Sequence, residues 1–164
     1  MTRPRAALTC CVLALVAVGC GIRPTGVTDG GAAPSGISKG MRIYFASDSG
    51  LRGVARPGTQ IHDLLSAYKL LLAGPTPEER ADGLTNLLAN AEPMNVTSHQ
   101  GNVIIDAPRY SADPQNQSTG QLVCTFARAE VLLHGTRPDK VQVTIVGEKG
   151  MRAGPYQCQQ FLAR

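Results

Sequence analysis

Apolar residues change their spacing several times along the chain, and each change predicts an element. Over residues 6–18 they are nearly continuous, broken only by Thr9, Cys10 and Cys11. At residues 42–47 the run Arg42-Ile43-Tyr44-Phe45-Ala46-Ser47 predicts a strand. Asp48-Ser49-Gly50 is a turn whose glycine suits the left-handed position of a bulged hairpin. Residues 51–56 return antiparallel until Pro57-Gly58 stops them. The spacing then becomes helical: Ile61, Leu64, Leu65, Tyr68, Leu71 and Leu72 form one stripe, with His62, Asp63, Ser66 and Lys69 opposite.

Gly74-Pro75 ends this helix, and a second one starts at once. Thr76 as N-cap, Pro77 at N1 and Glu79 at N3 make a capping box, and Gly83 terminates the short helix. Residues 95–99 and 102–106 read as two strands joined across Gln100-Gly101. Residues 108–117 form a polar loop. Ser118 with Gln121 repeats the capping-box pattern and opens a helix carrying Leu122, Val123, Phe126, Ala129 and Leu133 on one side. Gly135 and Pro138 break it, and residues 141–145 alternate with period two as a strand. Two amphipathic helices and a half-apolar sheet call for an α/β (α+β) two-layer sandwich, with helices on one face of a short mixed sheet. Leu65 and Phe126 are expected in its shared core.

The apolar run of residues 6–18 is too short to span a bilayer core of roughly 30 Å as a helix. With Arg3 and Arg5 before it and Ala17-Val18-Gly19-Cys20 after it, residues 1–19 read as a lipoprotein signal peptide. Cys20 is then the lipidated residue, carrying palmitate-type acyl chains, and a plain secretory signal or a buried helix is the alternative. Residues 20–40 form a tether, since twelve of the twenty residues 21–40 are Gly, Pro, Ser or Thr. Residues 41–164 are left as one domain.

Without Arg3 and Arg5 the chain has 14 Lys/Arg against 12 Asp/Glu, a balance of +2 with no basic run, which gives nucleic acid no footprint. Of the five cysteines, Cys10 and Cys11 leave with the signal and Cys20 takes lipid, so Cys124 and Cys158 remain. In an exported chain they read as a disulfide that pins the tail after Gly150, with two buried thiols as the alternative.

The order of these motifs resembles the GerMN domain, the sporulation and spore-germination domain. Carrying the resemblance are Ile43-Tyr44-Phe45, Arg56, Leu71-Leu72-Ala73-Gly74-Pro75-Thr76, Glu79 and Gly83-Leu84-Thr85. Residues 103–106, Gln121-Leu122-Val123-Cys124-Thr125 and residues 141–147 complete it. Residues 131–140 are longer than the usual pattern, and the cysteine-bearing tail is extra. The resemblance implies a compact domain similar to the ring-building-motif domains of envelope assemblies, and it carries no established active site.

Candidate chemistry is sparse. His62, His99 and His134 lie far apart with no ligand spacing, and no metal or cofactor site is assigned. Glu78 and Glu79 diverge on a helix and sit where its dipole favours negative charge. Ser49 and Asp106 are turn residues, and no phosphate-binding glycine loop or nucleophile elbow is present. No catalytic residue is assigned. The expectation is a non-enzymatic lipoprotein on the outer face of the cell membrane, held by its lipid and binding or scaffolding another envelope protein. Capture of a small ligand or cell-wall polymer near the 108–117 loop is the alternative.

Overall fold

The computed structural model describes residues 40–89, 91 and 93–162. The expected signal peptide, the lipidation residue Cys20 and all of the tether except Gly40 lie outside these described residues. The described chain is an α+β fold of two sheets and four helices. Strands β1 (Met41–Ser47) and β2 (Gly50–Arg56) pair antiparallel as a sheet of their own. Strands β3 (Asn95–His99), β4 (Asn102–Asp106), β5 (Gln142–Val146) and β6 (Arg152–Tyr156) form a mixed sheet in that spatial order.

The division into two sheets differs from the single sheet expected to hold Ile43, Phe45, Val103 and Val143 together. All four side chains are buried, as the alternation requires. Period two specifies which face is buried but not which strand lies alongside, and here the second edge of β1 meets a helix. That helix is α3 (Gln117–His134), the crossover that the parallel pair β4–β5 demands. It touches strands of both sheets. Its residues 118–127 are buried on every side, so it is a central helix rather than a surface one.

Local chemistry explains most boundaries. At the β3–β4 hairpin Gln100 and Gly101 take φ of 49° and 83°, the two positive angles that a two-residue primed turn needs. Helix α2 (Pro77–Ala81) has the full capping box: Glu79 N–H donates to Thr76 Oγ1, and Thr76 N–H donates to the Glu79 carboxylate.

Helix α1 (Leu64–Ala73) departs from its expected phase. Asp63 is its N-cap, accepting from Ser66 N–H at 2.6 Å, so Ile61 and His62 precede the helix. The buried stripe becomes Leu64, Ala67, Tyr68 and Leu71. Leu65 is 39% exposed and does not share the core with Phe126, contrary to expectation. Tyr68 takes that place, stacking on Phe126 with ring centroids 6.3 Å apart. Leu64, Tyr68 and Leu71 of the expected stripe are buried, Leu65 lies off the buried face, and the small Ala67 carries too little apolar weight to mark that face in the sequence.

The start of α3 also differs. Asn116 is the N-cap, accepting from Ser118 N–H at 2.9 Å, and Ser118 lies inside the helix. Gln121 is fully buried and forms no capping box. The tail adds β6 and the short helix α4 (Gln159–Leu162), neither visible in the hydrophobic pattern. Cys124 and Cys158 are joined with Cα atoms 4.5 Å apart, fastening the start of this helix to α3.

Candidate functional site

The two edges of the β1–β2 hairpin are treated in opposite ways. On the β1 side, polar residues of α3 meet the backbone one after another. Gln117 Nε2 donates to the Ser47 carbonyl at 3.2 Å, and Gln121 Nε2 donates to the Tyr44 carbonyl at 3.1 Å. Thr125 Oγ1 accepts from Tyr44 N–H at 3.2 Å, and Arg128 donates to the Gly40 carbonyl at 2.7 Å. Positions 117, 121, 125 and 128 lie on one helical face, so a single stripe follows the strand edge. Ala46 completes it by exchanging two backbone hydrogen bonds with Thr85, at 3.0 and 2.9 Å. Gln121 also accepts from Leu87 N–H at 2.9 Å and so ties three segments together.

These contacts fix the hydrogen-bond parity of the hairpin. Tyr44 and Ala46 direct both backbone groups away from β2, so in an antiparallel ladder their partners Gly53 and Leu51 direct theirs away from β1. Ala55, opposite Arg42, follows the same alternation. Among the described residues, the outward N–H and C=O groups of Leu51 and Gly53 and the Ala55 N–H have no hydrogen-bond partner. The Ala55 carbonyl receives only Arg56 Nη1 at 3.4 Å. The outer edge of β2 is open.

Side chains shape that edge. Arg42 Cδ and Tyr44 Cε1 pass 2.7 and 2.8 Å from the point where a Cβ on Gly53 would stand. The glycine therefore lets the Arg42 stem and the Tyr44 ring lie across β2 at this position. On the opposite face of the strand Arg52 is exposed and donates to the Asp82 carbonyl at 3.5 Å. Neither arginine forms a salt bridge with a carboxylate of the described residues, although the Arg52 charge reaches Glu79. Arg56 is different. It grips Glu79 with two hydrogen bonds of 2.5 and 2.8 Å and lies 5.7 Å over the Phe45 ring. That grip holds the Glu79 carboxyl below the usual carboxylate range, although burial opposes it.

Near the other end of the hairpin lies an open cleft of about 550 Å³, bordered by Ser47, Asp48, Thr85, Leu87, Asp113 and Gln117. Leu87 is 49% exposed there, and Gln117 Oε1 is buried with no hydrogen-bond partner among the described residues. Asp113 places the 108–117 loop on the cleft wall, where the alternative reading looks for a pocket.

A second polar cluster surrounds Glu130, which is 1% exposed. Its carboxylate accepts from Ser98 Oγ at 2.6 Å and Thr136 Oγ1 at 3.0 Å, and pairs with His134 Nδ1 at 2.7 Å. Burial pushes its pKa up, but the bonds from Ser98, His134 and Thr136 outweigh it and hold the carboxyl below its ordinary value. The cluster fastens the end of α3 to β3. Ser49 bonds Ser47 within the turn. Among the described residues no three His, Cys, Asp or Glu side chains gather as metal ligands.

The sequence pattern does not reveal the open edge, because backbone parity leaves no trace in side-chain spacing. One signal was available: a lone glycine inside a strand marks a bulge or a close approach. Comparison with family models, with curated proteins and with solved structures gives no match.

Proposed function

We propose that this protein is a membrane-anchored bacterial lipoprotein whose folded domain binds or scaffolds another protein of the cell envelope, without catalysing a reaction. The observation that carries the reading is the contrast between the two hairpin edges. A stripe of four α3 side chains and Thr85 closes one edge, while on the other Leu51, Gly53 and the Ala55 N–H have no hydrogen-bond partner among the described residues. An exposed edge of this kind is a template for pairing with another chain, and proteins commonly cover or blunt it when it has no partner. The anchor pattern ending at Cys20 and the GerMN resemblance support the same reading, placing the domain at the outer face of the cell membrane. Crosslinking in intact cells followed by affinity purification tests it. A specific envelope protein should be recovered. Recovery of none, with the lipoprotein abundant, contradicts the reading.

The cleft beside Asp48 and Asp113 favours a second reading, capture of a small ligand or cell-wall polymer. A specific ligand would raise thermal stability by mass action, and a screen of wall fragments that shifts nothing removes this reading.

A further inference from the structure

The open edge also has a chemical character of its own. Its free backbone groups sit at Leu51, Gly53 and Ala55, a span that an extended segment of about five residues can pair with at two-residue spacing. Arg52 stands on one face of that edge. The Arg42 stem crosses the other face at Gly53, a position where any side chain on β2 would collide with it. An added strand would therefore have Arg52 on one face and the Arg42 side chain on the other, two arginines that form no salt bridge with a carboxylate of the described residues, although the Arg52 charge reaches Glu79.

We infer that the outer edge of β2 accepts an acidic, extended segment of a partner protein by strand addition, with Arg42 and Arg52 pairing with carboxylates on its two faces. This rests on the protein-binding reading and names the partner's chemistry. Main-chain bonds to Leu51, Gly53 and Ala55 supply the pairing, and alternate side chains of the segment meet the arginines. Guanidinium groups suit carboxylates because their planar donors match both oxygens. A second copy of this chain fits less well: antiparallel pairing about Gly53 would bring Arg52 diagonal to its own counterpart, which raises like-charge repulsion.

The test uses the full chain in detergent and fluorescein-labelled heptapeptides of alternating glutamate and valine. Three comparisons decide it: the same peptide with lysine for glutamate, the glutamate peptide N-methylated at alternate residues, and the R42Q/R52Q double variant. The glutamate peptide should bind saturably, and the double variant should weaken it at least about tenfold, since both charged pairs are lost. The lysine and N-methylated peptides should not bind. Equal binding of the N-methylated peptide would reduce the edge to a charged patch and overturn strand addition. Unchanged affinity in R42Q/R52Q would overturn the role of the arginines, with circular dichroism confirming that this variant is folded.

Concentration-dependent self-association through this edge would replace the partner by a second copy. Arginine-dependent binding to phosphatidylglycerol vesicles without peptide binding would replace it by a lipid surface. If no peptide binds while crosslinking in cells still recovers a partner, only the present inference fails. If neither succeeds, the protein-binding reading falls with it.

Discussion

At the scale of single residues, buried polar side chains do the organising. Gln121 is placed by its spacing as a capping residue, yet it sits in the core and serves both Tyr44 and Leu87. Replacing it with leucine preserves volume but leaves the Tyr44 carbonyl and the Leu87 N–H without partners. Gln121→Leu should therefore cost roughly 1–3 kcal/mol in denaturant unfolding, as two partly buried groups lose their bonds. A loss under about 0.5 kcal/mol would show that these bonds do not close the β1 edge. Glu130 supplies a pH signature. Its folded pKa lies below the unfolded one, so its contribution is fully present above the ordinary glutamate range and is lost as pH falls through that range toward the depressed value. Glu130→Gln should lower stability at neutral pH and flatten the acid limb of the stability profile. An acid limb of unchanged slope would refute this assignment.

At the scale of elements, helix phase is the sharpest distinction. Leu64→Ala should cost about 2–4 kcal/mol because its side chain fills the core, whereas Leu65→Ala should cost less than about 1 kcal/mol. Equal losses would mean that the stripe faces as its raw spacing suggests. What the sequence reveals about each element depends on where its determinants lie. Helix α2 and the β3–β4 hairpin are legible because Thr76, Pro77, Glu79 and Gly101 act on their own backbone. The phase of α1 is not, since Asp63 caps the helix after Ile61 and removes that residue from the stripe. The edge of β2 is hidden for a deeper reason. Its state depends on what α3 does to β1, a contact between residues about eighty positions apart. The tail is hidden as well, because β6 carries a proline and two residues without apolar weight, and its place comes from β5 and the Cys124–Cys158 bond.

For the whole molecule, location and recognition come from different parts of the chain. No helix among the described residues is long and apolar enough to cross a membrane. In the proposed account attachment rests on Cys20 alone. Cys20→Ala should then release the folded protein from membranes, since two acyl chains at ~0.8 kcal/mol per buried methylene anchor stably. Retention of the variant after a high-salt wash would require a second anchor.

The central claim is that a partner docks on the open edge of β2. Ala55 is exposed on that edge, while Lys149 is exposed in the turn before β6, on another sheet. A photo-crosslinking amino acid placed at each position in turn, in intact cells, reads the edge directly. The account predicts a discrete adduct with one envelope protein from position 55, weakened by R42Q/R52Q, and none from position 149. The same adduct from both positions, or an adduct from position 149 alone, would contradict it.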